Sequence, residues 1–277
     1  MSHFSFRRLT LPVMLFTACS GLHAGAGLIL IDQASALAGG VTSGDSPGFP
    51  VTLSTPGSYK LTGNLTVTDG NTTGIQILAD FVTLDLDGFS IIGPITCTAS
   101  PVVCTPSGTG IGVQTAGNQG TGPRGVRVLN GAISGMGLAG VQMTGVGSKV
   151  ERVSAYNNAG AGIVSETVVE SEAKRNGTYG ILATTVRDSR SSENAADGIV
   201  LNSGGGIATG NTASFNGGSG ISASFATITG NSMFLNRSFG VSALCPSVIV
   251  ANTVVSIDGS NFTTQGSGCT LGNNASR

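Results

Sequence analysis

Asn158-Ala159-Gly160-Ala161-Gly162-Ile163 is answered by Asn176-Gly177-Thr178-Tyr179-Gly180-Ile181, then by Asn194-Ala195-Ala196-Asp197-Gly198-Ile199, Asn216-Gly217-Gly218-Ser219-Gly220-Ile221 and Asn236-Arg237-Ser238-Phe239-Gly240-Val241. The asparagines are 18, 18, 22 and 20 residues apart, a period that belongs to the coils of a solenoid. A degenerate earlier copy ends at Gly140-Val141, with Met136 where asparagine is expected. Aligned on asparagine, three apolar columns emerge. Ile163, Ile181, Ile199, Ile221 and Val241 stand five places after it. Ala155, Ala173, Ser191, Ala213 and Met233 stand three places before, and Val150, Val168, Val186, Ala208 and Ile228 eight places before. Stacked at the strand spacing of about 4.8 Å, these columns predict one continuous core. Asn158, Asn176, Asn194, Asn216 and Asn236 are then expected to sit at a bend, in a left-handed conformation, each amide bonding to the one above and below. The glycine four places later is expected to allow the next bend.

The composition agrees. Of 277 residues, 44 are glycine and only 10% are charged, against about 25% charged in ordinary chains. Glycine excess accompanies disorder only when hydrophobicity is low, and here β-branched residues recur between the glycines. A turn-rich all-β protein is the reading.

Upstream of the repeats, Val51 to Leu53, Ser58 to Leu61, Asn64 to Val67, Gly74 to Leu78, Phe81 to Leu86 and Ser90 to Ile92 read as short strands. Val82, Leu84 and Leu86 alternate inward, and Asp87-Gly88 turns the chain. Leu28 to Ala38 reads as a strand entering a short helix, an N-terminal cap over residues 27–48 that shields the first coil. The β-helix proper is expected over 49–277, with a loop leaving the rod near 94–110, a mobile glycine-rich loop over Gln114 to Gly125, and a C-terminal cap near 245–277.

Residues 1–26 have the pattern of a signal peptide: Arg7 and Arg8, an apolar run from Leu9 to Ala18, and Ala24-Gly25-Ala26 as the cleavage site. Phe16-Thr17-Ala18-Cys19 weakly resembles a lipoprotein box but lacks its aliphatic residue, so lipidation of Cys19 is the minority reading. No later run approaches the roughly 20 apolar residues of a membrane-spanning helix. The expected location is secreted, periplasmic or at a bacterial cell surface. There disulfides persist. Because distance along a solenoid sequence becomes distance along its axis, Cys97 is expected to pair with Cys104 and Cys245 with Cys269.

Cleavage would remove both histidines, His3 and His23, and with them histidine as base, triad member or metal ligand. From Gly27 onward 11 Lys and Arg face 14 Asp and Glu, a net charge of −3, which gives no footing for nucleic acid.

The Asn-x-x-x-Gly-(Ile/Val) ladder, with Gly210-Asn211-Thr212 and Gly230-Asn231-Ser232 preceding two copies, resembles the right-handed parallel β-helix of the pectin-lyase-like superfamily. The segment Pro56 to Leu65 followed by Val82 to Gly88 is similar to the entry coils of its exported bacterial members. The resemblance implies a fold shared by polysaccharide lyases, hydrolases, epimerases, phage spikes and adhesins, and leaves function open. The aspartate cluster and arginine motif of pectate lyases are not recognisable, and neither is the Asp-Pro-His of alginate epimerases.

Charge concentrates on the coils from Glu151 to Glu193. As an enzyme acting on an acidic polysaccharide, the chain would use Glu170, Glu172 or Asp188 as acid and base, or as ligands for a hard cation, with Arg190 a further candidate and Ca²⁺ the one cofactor such an activity would admit. Register favours a structural reading: Arg152, Glu170 and Asp188 stack, Glu172 meets Arg190, and Arg175 meets Glu193. Asp85 and Asp87, beside Gly88, read as strand-ending turn residues rather than a cation site. Tyr156, Tyr179, Phe215, Phe234 and Phe239 read as scattered packing, with only Tyr156 and Phe234 sharing a column. The expectation is therefore a non-catalytic surface, without metal or cofactor, for a glycan, an envelope component or another protein.

Overall fold

The computed structural model describes residues 27–118, 120–202, 204–257 and 261–277. The expected leader, including Cys19, lies outside the described residues. The chain is a parallel β-solenoid of about ten turns. Each turn contributes to three parallel sheets, because each strand is too short to bury a face alone and hydrogen-bonds to its equivalent one coil away.

The first sheet begins with Val51–Leu53, Ile75–Ile77, Ile111–Thr115 and Ala139–Gln142, takes in the starts of Ile163–Val169 and Ile181–Arg187, and ends with Ile199–Leu201, Ile221–Ser224, Val241–Leu244 and Phe262–Gln265. The second runs from Ile29–Ile31 through Gly57–Leu61 and Val82–Asp85 to Thr270–Gly272, and the third from Leu65–Thr66 to Ala275–Ser276. The three predicted columns close the core. Ile163, Ile181, Ile199, Ile221, Val241, Val150, Val168, Val186, Ala155 and Ala173 are all fully buried.

The ladder asparagines are as buried as the core, at 0 or 1% exposure. The Nδ2 of Asn158 donates to Asn176 Oδ1 at 3.0 Å, Asn176 to Asn194 at 2.9 Å, Asn194 to Asn216 at 2.9 Å, and Asn216 to Asn236 at 2.9 Å. From Asn176 to Asn236 each Oδ1 also accepts the backbone N–H of the preceding asparagine.

One detail differs from expectation. The asparagines themselves do not take positive φ; the residue before each does, at Asn157 (54°), Arg175 (53°), Glu193 (54°), Phe215 (57°) and Leu235 (48°). The left-handed residue turns the chain outward and swings the next side chain inward to be the rung. The later glycine does lie at the next bend, at Gly162, Gly180, Gly198, Gly220 and Gly240, but outside the left-handed region. A Cβ on Gly162 would stand 2.7 Å from Asn176 Nδ2 and 2.6 Å from Gly180 O, and one on Gly180 would stand 1.9 Å from Ser191 Oγ. Glycine is required there because the backbone passes directly against the rung of the next coil.

At the N-terminal end, the helix Gln33–Ala38 is capped by Asp32, whose side chain accepts from Ser35 N, and it buries Ala36 over the first coil. Residues 245–277, read as a cap, instead continue the stack through Val248–Val250, Thr253–Val255 and Phe262–Gln265. Both expected disulfides are present, Cys97–Cys104 and Cys245–Cys269. The first closes an antiparallel hairpin that does not leave the rod: Cys104 Sγ lies 3.5 Å from Asn158 O, and Ser100, Pro101 and Val102 reach the coils of Asn194 and Asn216. The loop following Thr115 is likewise tied down, with Gly120 N–H donating to Thr144 O at 2.6 Å and Gly125 N–H to Val146 O at 2.9 Å.

Candidate functional site

Glu170, Glu172, Asp188 and Arg190 are brought together at the bend between the second and third sheets. Glu170 and Asp188 occupy its left-handed position, at φ 48° and 49°, where Arg152 stands one coil earlier. Glu172 and Arg190 are register partners in the third sheet, yet no ion pair links them among the described residues. With Arg152 the four line an open, polar recess of about 380 Å³.

Ion pairing holds much of the surrounding charge. Glu151 receives Lys149 Nζ at 2.8 Å, Arg127 Nη2 at 3.2 Å and the Arg152 guanidinium. The Lys149 hydrogen bond, helped by Arg152 and opposed by desolvation, holds its carboxyl well below the usual range, at about 2. Glu193 is held low by Arg175, whose Nη2 lies 2.5 Å away, and by Lys174 at 3.1 Å. Arg152 also reaches Glu170 at 3.6 Å, and Glu170's side chain is 55% exposed. A substrate here would meet bulk water rather than a dry, preorganised pocket. Asp85 accepts from Asp87 N and Asn130 Nδ2, and Asp87 pairs with Lys60 at 2.9 Å, so both serve the turn. No cluster of three or more acidic, Cys or His residues suited to a metal occurs among the described residues.

The aromatic expectation changes at one place. Tyr156 and Phe234 do share a column, but the contact is between Phe215 and Phe234 on adjacent coils, edge to face with centroids 5.5 Å apart.

A different surface is built by the first sheet. The residue directly after each motif's Ile or Val points outward, so that Gln76, Gln114, Gln142, Val164, Leu182, Val200 and Ser222 lie in register on successive coils. All are half-buried. Three hollows follow one another along this row, the two outer ones about as open to solvent as the charged recess. One of about 360 Å³ lies over Gln76 and Gln114 beside Phe49 and Thr73. The next, about 370 Å³, has Gln142, Val164 and Leu182 as its floor and Asn118 and Thr144 on its walls. The last, about 300 Å³, lies over Val200, Ser222 and Ser242. The loop after Thr115, fixed to Thr144 and Val146, raises the wall of the central cavity.

The composition of this row was readable only in hindsight. Outward positions carry no periodic signal of their own, but they are fixed by counting one residue on from the core column.

No family model and no curated relative matches the chain. Among solved structures, it is similar to the enzymatically active domain of bacteriophage CBA120 tailspike protein 2, at 15% identity and a TM-score of 0.55, over 80% of this chain and 41% of that one. It is also similar to the periplasmic alginate epimerase AlgG, at 12% identity and a TM-score of 0.50, over 80% of this chain and 69% of that one. The chain thus spans less than half of the tailspike domain. Likeness at these identities establishes architecture alone, and the fold is a right-handed parallel β-helix.

Proposed function

We propose that this is an exported β-helix that binds a polysaccharide lengthwise along the outer face of its first sheet, without turning it over. The carrying observation is the row of three cavities over coils in strict register, since a repeating surface suits a repeating polymer. Half-buried Val164, Leu182 and Val200 offer apolar contact to sugar C–H faces, while the glutamine amides and the Thr and Ser hydroxyls offer donors and acceptors at each rung. The two disulfides support export, because such bonds persist in oxidising compartments. The alginate epimerase among the structural neighbours acts on a polysaccharide, which agrees with a glycan ligand here.

Retention on immobilised polysaccharides tests the reading. The double variant Val164→Asp, Leu182→Asp is expected to lose retention, and Glu170→Gln to keep it. The opposing reading, an enzyme on the charged coils, draws on the polar recess at Glu170, Glu172, Asp188 and Arg190. Release of new reducing ends or unsaturated sugars, abolished by Glu170→Gln or Asp188→Asn, would establish that reading and overturn ours.

A further inference from the structure

From the same face we infer the ligand's class: it is an uncharged polysaccharide, and polyuronates are excluded. The inference rests on the binding reading above and adds selectivity to it. None of the 11 Lys and Arg residues from Gly27 onward lines any of the three first-sheet cavities. Recognition of a carboxylate on every sugar requires cationic partners, best a guanidinium in bidentate contact, at each binding position. Here the register rows supply Gln76, Gln114 and Gln142, then Val164, Leu182 and Val200, then Ser222 and Ser242.

Three carboxylates border the face. Glu166 lies at the central cavity, its Oε2 accepting from Gly147 N. Asp197 accepts from Ser219 N at 2.6 Å and from Ser222 Oγ at 2.7 Å, which fixes a carboxylate beside the row. Asp69 accepts from Thr72 Oγ1 at 2.5 Å next to the first cavity, and that bond holds its carboxyl below the usual range. A polyanion laid along the row would meet these carboxylates with no Lys or Arg lining the cavities to offset them, whereas neutral hydroxyls can donate to them.

An extended peptide fits less well. The backbone of this sheet is already paired coil to coil, so a peptide laid across its face could not add as a strand.

The test is affinity electrophoresis and calorimetry of the chain from Gly27, at low and at physiological salt. One set of polymers is neutral (dextran, galactomannan, xyloglucan) and the other polyuronic (alginate, polygalacturonate). We expect retention by at least one neutral polymer, changing less than twofold with salt, and none by the polyuronates. Leu182→Glu should weaken the neutral interaction at least tenfold. Ser222→Glu serves as the second variant, and thermal melting confirms that both remain folded. Salt-sensitive retention by a polyuronate that Leu182→Glu abolishes would overturn the inference while leaving the lengthwise binding face standing. Retention of no polymer in either set would overturn both.

Discussion

A buried amide with all its partners supplied is the unit from which this rod is made. Asn194 donates to Asn216 Oδ1, Ala173 O and Ser191 Oγ, and accepts from both N–H groups offered by Asn176. Asn194→Ala would strand those donors and acceptors in the core, costing on the order of 1 to 3 kcal/mol in a urea titration. An unchanged midpoint would mean that water replaces the rung. The glycines separate by cause in the same way. Gly230 has φ 65° with open space around it, whereas a Cβ on Gly180 meets Ser191 Oγ and, at 2.7 Å, Gly198 O. Gly230→Ala is expected to cost about 1 kcal/mol, the left-handed penalty alone, and Gly180→Ala more, by overpacking against backbone. Equal melting shifts for the two would contradict the close-approach role. These causes were hidden in the letters, since a glycine required for φ and a glycine required for space look identical until a neighbouring coil is set beside them.

At the scale of coils and turns, a second ladder runs beside the first. Ser171 and Ser189 give way to Asn211, Asn231, Asn252 and Asn274, each receiving the backbone N–H of its predecessor and each following a left-handed residue. The first ladder was legible because five asparagines open the same Asn-x-x-x-Gly-(Ile/Val) motif. The second was obscured because serine hydroxyls replace its first two rungs, and the hydroxyl accepts the same N–H from a different side chain. The inward columns were equally legible, whereas the pinned loop after Thr115 and the hairpin lying on the rod were not, because their contacts are made to distant coils.

The charged coils carry a pH prediction. Because folding lowers the Glu151 carboxyl from 4.5 to about 2, its ion pairs stabilise the rod above pH 4.5 and that contribution is lost as pH falls through this window. Melting temperature should therefore drop more steeply toward pH 2 in the wild type than in Glu151→Gln, and parallel curves would remove Glu151 from the stabilising set. Cys245–Cys269 closes a loop of sequence separation 24, so removing it is expected to cost about 3 kcal/mol, with faster amide exchange confined to the last coils. Exchange that accelerates throughout the rod would show instead that the solenoid unfolds as one unit.

For the whole molecule, the three sheets divide the work. The second and third sheets and the bends that follow them hold the Arg127–Glu151 and Lys174–Glu193 ion pairs, which link neighbouring coils, and the Lys149–Glu151 pair within one strand. The first sheet carries the cavities, lined by no Lys or Arg and bordered by carboxylates. Sequence alone directed attention to the charged coils, because charge is conspicuous in a chain with so little of it. The quieter face became visible once register placed Gln76, Gln114 and Gln142 in one file with Val164 and Leu182. The most direct test of this division is a crystal structure of the chain from Gly27 with a neutral oligosaccharide from the retained polymer. The account predicts sugar density running along the rod over Gln114, Gln142, Val164 and Leu182. Density over Glu170, Asp188 and Arg190, with the first sheet bare, would contradict it.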